Sequence, residues 1–156
     1  RNFERYATEL LQRGLERGQP PCLALIDIDK FKHINDKFSH QVGDEVLKRV
    51  ARILKSHLRD DDIAARLGGD EFVIAFKTAD LNVAQQVCQR ISAAVRDFDW
   101  SSISSGLQSS ISVGVAQAEP GDTVASLTHR SDLAMYREKK DASATAHRSW
   151  TAALRA

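Results

Sequence analysis

The sequence predicts an α+β fold, a mostly antiparallel sheet with helices packed on it. Three observations carry that prediction. Cys22 to Asp29 reads CLALIDID, an apolar run short and dense enough for a central strand. Ile63 to Leu67 and Phe72 to Phe76 are short strand candidates joined through Gly68-Gly69-Asp70-Glu71, and a Gly-Gly pair, tolerant of positive φ, marks a tight hairpin. Ile111, Val113 and Val115 alternate with Ser110, Ser112 and Gly114, the period of a half-buried strand. Helical patterns separate these strands. No G-x-G-x-x-G follows the first one, which argues against a doubly wound dinucleotide-binding sheet.

Taken in order, Phe3, Tyr6, Ala7, Leu10, Leu11 and Leu15 share one face of a leading helix within residues 1–19, stopped by Gly18 and Pro20-Pro21. After the first strand, KFKHINDKFSHQVGDE mixes polar, aromatic and turn residues, and Val46, Leu47, Val50, Ile53, Leu54 and Leu58 then mark a long helix. The hairpin comes next. Ala84, Val87, Cys88, Ile91, Ala94 and Val95 give a third helix, followed by a Ser-rich loop and the alternating strand. Asp122 reads as the N-cap of a last helix reaching about Lys140, and residues 141–156 form an Ala/Ser-rich tail of unassigned structure. The chain starts inside a helical pattern at Arg1, as expected of a segment cut from a longer multidomain protein.

A length of 156 residues fits a single domain spanning 1–156, large enough to bury roughly 70% of its unfolded surface. With 22 basic against 21 acidic side chains, the net charge of +1 supplies no field for gripping nucleic acid or an anionic membrane, and neither is the expected partner. Cys22 and Cys88 lie in apolar surroundings without metal or disulfide spacing, as buried thiols in a reducing cytosol do. No apolar run approaches the roughly 20 residues that span a bilayer, so the expected location is cytoplasmic. Unseen segments of the full-length protein remain a route to membrane attachment.

The chemistry concentrates at two acidic places. Asp27 and Asp29 end a strand two residues apart, and Asp70 and Glu71 occupy the hairpin turn. Singly, acids near turns are more often solvated caps. Adjacent central strands would bring the two groups together, and carboxylates gathered in one cleft repel unless a cation joins them. Hard oxygen ligands suit Mg²⁺, which takes one or two carboxylates plus waters and substrate phosphates. A nucleotide–Mg²⁺ site is the resulting expectation.

RLGGDEF at Arg66 to Phe72, with LIDIDKFKHIND at Leu25 to Asp36 and FSHQVGD at Phe38 to Asp44, resembles a GGDEF domain over nearly the whole chain. That family comprises the diguanylate cyclases, which condense two GTP into cyclic di-GMP and pyrophosphate. The resemblance implies a palm-like sheet flanked by helices, related to class III nucleotide cyclases. It makes Asp27 and Asp70 side-chain ligands of Mg²⁺, or of Mn²⁺ in its place, with the backbone carbonyl of Ile28 as a further ligand. Asp70 is also the implied base. Glu71 either supports the metal or faces outward as a salt-bridge partner. Lys32 and Lys139 match positions that approach the phosphates, Lys139 within SDLAMYREKK at Ser131 to Lys140.

Guanine selection falls to Asn35 and Asp44, since a carboxylate accepts from N1–H and N2–H₂ together and an amide both donates and accepts, a pairing adenine cannot offer. His40 joins them by resemblance, although a histidine beside a turn is as readily a surface residue. Arg59 and Asp62 fit the family's RxxD motif before the hairpin, and Arg90 falls on the matching helix position, giving an allosteric site for cyclic di-GMP built on bidentate arginines. Its alternative is a charged turn.

The sequence departs from the family in three places, one being the lead-in motif that normally precedes the domain, which is only partly present. Ala142-Ser143-Ala144 stands where Gly-Arg-Asn is usual, and Ser39 where glycine is common. Losing the arginine would remove a charge-assisted phosphate contact worth about 1.5–3 kcal/mol; Lys140 and Arg148 are candidates to compensate. Two functional readings follow. One is a cyclase active as a homodimer, each copy holding one GTP, with product inhibition. The other is a degenerate module that binds cyclic di-GMP or GTP without catalysis. A plain interaction scaffold leaves the paired acids unexplained.

Overall fold

The computed structural model of the chain describes residues 2–77 and 80–155, with side chains through residue 140. Helix α1 (Asn2–Glu16) buries Ala7, Leu10 and Leu11. It stops as the sequence indicates: Gly18 turns at φ +67 and the Gln19 N–H reaches back to the Gly14 carbonyl at 2.8 Å. Strand β1 (Cys22–Ile28) leads into a short helix α2 (Phe31–Lys37) and a long helix α3 (His40–Ser56). The hairpin of β2 (Ile63–Gly68) and β3 (Glu71–Phe76) follows, then α4 (Leu81–Asp97), β4 (Ile111–Gln117) and α5 (Val124–Arg155).

The four strands make one sheet in the order β2-β3-β1-β4, with every neighbouring pair antiparallel. From β1 to β4 this is a βαββαβ arrangement with both long connections made by helices. Central placement explains why β1 is apolar from Cys22 to Ile26, because helices cover both of its faces. Cys22, Ala24, Ile26 and Ile28 join Phe72, Ile74 and Phe76 in the core under α3 and α4. Leu23, Leu25 and Val73 point the other way, to Leu11 of α1 and to Leu127 and Met135 of α5. Since side chains alternate along a strand, Asp27 extends the Leu23–Leu25 row and emerges on the α5 side of the sheet.

Gly114 sets how closely α5 lies on that sheet. A Cβ there would stand 2.0 Å from the Ser131 carbonyl oxygen and 2.2 Å from the Met135 nitrogen, so the helix backbone packs directly on the strand. The start of α5 corrects the cap assignment: Thr123, not Asp122, caps it, its Oγ1 accepting from the Ser126 N–H at 3.1 Å. Asp122 instead accepts from the Glu119 N–H at 2.7 Å and pairs with Arg130. The helix also runs past Lys140 to Arg155, as a stretch rich in alanine and lacking Gly and Pro favours. Among the described residues, no helix is long and apolar enough to cross a membrane.

Candidate active site

The two acidic groups meet because β1 and β3 are neighbours. Asp27 stands opposite Glu71 on the β1–β3 ladder and opposite Ser112 on the β1–β4 ladder. The hairpin turn is then pinned to the end of β1, where the Ile28 N–H donates to the Asp70 carbonyl at 3.1 Å. Gly69 reverses the chain at φ +51, and the Arg66 Nε–H braces the turn by donating to the Gly69 carbonyl at 2.9 Å.

This clamp leaves the side chains of Asp27 and Asp70 hydrogen-bonded to one another. Burial raises the Asp70 pKa, the bond to Asp27 and the charges of Asp27 and Glu71 raise it further, and together they push it up to about 6. Two carboxyls held this close are the arrangement a divalent cation relieves. Lys139 of α5 supplies part of the missing charge by pairing with Asp27, whose side chain is 18% exposed. Burial works against the ammonium, but the bond and charge of Asp27, with Asp29 and Asp70 behind it, hold its pKa above the ordinary lysine range.

Among the described residues, no three acidic, histidine or cysteine side chains converge on one point. The donor set at the turn is therefore two carboxylates and backbone, which matches an ion that fills its shell with water and phosphate oxygens, as Mg²⁺ does. Glu71 is exposed beside them.

Asp29 does something different from Asp27. Its two oxygens accept from the hydroxyls of Ser110 and Ser112, each at 2.6 Å, while its N–H donates to the Ser110 carbonyl at 2.9 Å. These bonds tie the β1–α2 corner to β4. The serines carry no functional signal in the sequence beyond their place on the polar side of an alternating strand.

The residues expected to read guanine sit where α2 packs on α3. A Cβ on Gly43 would stand 1.9 Å from Asn35 Oδ1 and 3.3 Å from Phe31 Cζ, so the absence of a side chain there lets the Asn35 amide lie against the first turn of α3. His40 and Asp44 are exposed on that same turn, and Lys32 is exposed one helical turn before Asn35 on α2. Ser39 caps α3 by accepting from the Val42 N–H at 3.1 Å, but at φ +146, a conformation that suits glycine.

The second constellation is less assembled. Arg59 and Asp62 close a turn, the Arg59 N–H donating to Asp62 Oδ2 at 3.0 Å, and Tyr6 of α1 donates to the neighbouring Asp61 carbonyl at 3.1 Å. Arg90 is exposed on α4, and among the described residues no hydrogen bond or ion pair joins it to Arg59 or Asp62. The side chains of Ala142, Ser143, Ala144 and Arg148 lie outside the described residues.

Comparison with known proteins bears on this site. The family model described as "Diguanylate cyclase, GGDEF domain" matches residues 1–145. The diguanylate cyclase TpbB of Pseudomonas aeruginosa is 36% identical over 146 residues, covering 90% of this chain and 33% of that protein, so the chain spans about a third of the curated relative. The active GGEEF domain of a diguanylate cyclase from Vibrio cholerae superposes with a TM-score of 0.83 at 29% identity, covering 88% of each chain. The GGDEF domain of DgcB from Caulobacter crescentus in complex with c-di-GMP gives a TM-score of 0.83 at 30% identity, covering 89% of this chain and 83% of that one.

Proposed function

The chain belongs to the diguanylate cyclase GGDEF-domain family, and we propose that it is a cytoplasmic catalytic domain that condenses two GTP into cyclic di-GMP and two pyrophosphates. The observation that carries the reading is the clamp of the hairpin turn on β1, which holds the Asp70 and Asp27 carboxyls together. Asp27, Asp70 and the Ile28 carbonyl would hold Mg²⁺ or Mn²⁺. Such an ion, when bound, acidifies the attacking 3′-hydroxyl and neutralises phosphate charge.

Each step of bond making joins the 3′-oxygen of one nucleotide to the α-phosphorus of the other and releases pyrophosphate. Asp70 accepts the hydroxyl proton, with Glu71 supporting the acidic pair. Lys139, already drawn to Asp27, and Lys32 take phosphate oxygens. Asn35 and Asp44 accept and donate along the guanine edge, with His40 beside them, and so select GTP over ATP. One domain holds one nucleotide, so turnover needs a second copy facing the first. Arg59, Asp62 and Arg90 would bind the product and restrain that pairing.

A second reading rests on Ser143 standing where the family has arginine: a module that binds GTP or cyclic di-GMP without turning over. The test is to incubate the domain, alone and artificially dimerised, with Mg²⁺ and GTP beside Asp70→Asn. Cyclic di-GMP and pyrophosphate from the wild type but not the variant support the enzyme. Nucleotide retained without product by the dimerised wild type supports the module.

A further inference from the structure

We infer that Asp29, Ser110 and Ser112 form a latch that aims the Ile28 carbonyl toward the Asp27–Asp70 pair, which makes Asp29 a positioning residue and not a further carboxylate ligand; the inference rests on the metal-dependent reading proposed above. Two observations carry it. One is the direction of a single peptide group, and the other is the engagement of both Asp29 oxygens by serines on a neighbouring strand.

Strand β1 ends at Ile28, which stands opposite Ile111 of β4. One residue further, the Asp29 N–H still donates to the Ser110 carbonyl at 2.9 Å, so the ladder to β4 outlasts the strand. A trans peptide is planar and carries its N–H and its carbonyl on opposite sides. With its N–H sent to β4, the Ile28–Asp29 peptide turns the Ile28 carbonyl the other way, toward β3. On that side the Ile28 N–H donates to the Asp70 carbonyl at 3.1 Å, which places the Ile28 carbonyl at the hairpin turn with the two carboxyls.

Beyond Ile28 the backbone gives this peptide little support, because the chain leaves the sheet at once. Lys30, exposed, turns at φ 52 and ψ 36, a left-handed conformation unfavourable to a residue with a Cβ. Strain of this kind persists where surrounding contacts over-determine it. Those contacts come from Asp29. A carboxylate so close to a helix start is ordinarily a cap, yet α2 has no side-chain cap at Lys30, and both Asp29 oxygens accept instead from Ser110 and Ser112 at 2.6 Å each. Residues two apart on a strand share a face, so the two serines present their hydroxyls side by side. Ser112, 7% exposed and opposite Asp27, is fixed by the sheet itself. The same pinning holds the Asp29 charge against β4 and away from the acidic pair. Groups that orient metal ligands in this way are worth about tenfold to a hundredfold in metal affinity.

The test titrates Mn²⁺ into the domain with a non-reactive GTP analogue, read by electron paramagnetic resonance at a temperature below the measured Tm of every variant. Ser110→Ala with Ser112→Ala weakens Mn²⁺ uptake at least about tenfold, and Ser110→Ala alone, at the half-buried end of the latch, weakens it in part. Ser110→Thr keeps the hydroxyl, and Asp29→Asn keeps the shape, its amide accepting from one hydroxyl and donating to the other. Both stay near wild type, whereas Asp29→Ala falls with the serine pair. Were Asp29 a ligand, the alanines would free its carboxylate and leave uptake equal or tighter, and Asp29→Asn would lose as much as Asp29→Ala; either result overturns the latch. Serine-dependent uptake in a protein that makes no cyclic di-GMP would retain the latch and remove the cyclase. Uptake indifferent to the serines in a protein that does make cyclic di-GMP would remove the latch and retain the cyclase.

Discussion

Replacing Gly43 by alanine should separate guanine recognition from stability. The new Cβ falls 1.9 Å from Asn35 Oδ1, far inside van der Waals contact, so the amide must retreat by more than about 1 Å. A terminal amide can do that by rotating, and the backbone of α2 need not follow. Gly43 also lies within helix α3, where alanine is favoured over glycine by up to about 1 kcal/mol. The fold should therefore be unharmed, with Tm equal to wild type or up by about 2–4 °C. Hydrogen bonds do not survive a displacement of that size. Losing the Asn35 bond and leaving a guanine group unpaired costs about 1–3 kcal/mol, a weakening of GTP binding by about fivefold to about 150-fold. Thermal unfolding and calorimetric titration with GTP read the two effects separately. Unchanged GTP affinity would refute the role given to Asn35. A Tm lowered by more than about 5 °C would show that the rotation invoked here is blocked.

Gly114→Ala makes the opposite case: its Cβ meets helix backbone at Ser131 and Met135, which cannot rotate away. Overpacking of that kind costs about 3 kcal/mol or more and should appear as a large fall in Tm by calorimetry. Ser39→Gly should stabilise by about 1 kcal/mol in urea unfolding, since relief of a strained φ of +146 exceeds the few tenths lost when glycine replaces a serine cap. Burial opposes ionisation of Asp122, but the Ser126 hydroxyl, the Glu119 N–H and Arg130 outweigh it and lower its pKa below 3.8. A carboxyl depressed in the folded state contributes stability that is present above its unfolded pKa and lost as pH falls through the folded one. Urea unfolding from pH 5 downward should accordingly show a steeper loss for wild type than for Asp122→Asn.

The sheet was legible because its strands announce themselves in different ways. β1 is apolar up to Asp27 since both its faces are covered, β4 alternates, and Gly68-Gly69 marks the turn between β2 and β3. The meeting of Asp27 with Asp70 followed once β1 and β3 were taken as neighbours. Bonds between distant segments were not readable. Nothing local announces that Ser110 and Ser112 hold Asp29, because a serine on a strand's polar face looks the same whether it meets water or a carboxylate 81 or 83 positions away. The Thr123 cap was misassigned because Asp122 is an equally good capping residue by type, and only Arg130, a turn and a half into α5, shows that its carboxylate is engaged elsewhere.

The central claim is that Asp27 and Asp70 share one divalent ion. Titrating Mn²⁺ into the domain with a non-reactive GTP analogue, followed by electron paramagnetic resonance, tests it directly. Wild type should take up one nucleotide-dependent equivalent, and Asp27→Asn and Asp70→Asn should each weaken uptake at least about tenfold, while the pair together does little more than either alone. Full Mn²⁺ uptake by both single variants would contradict the account.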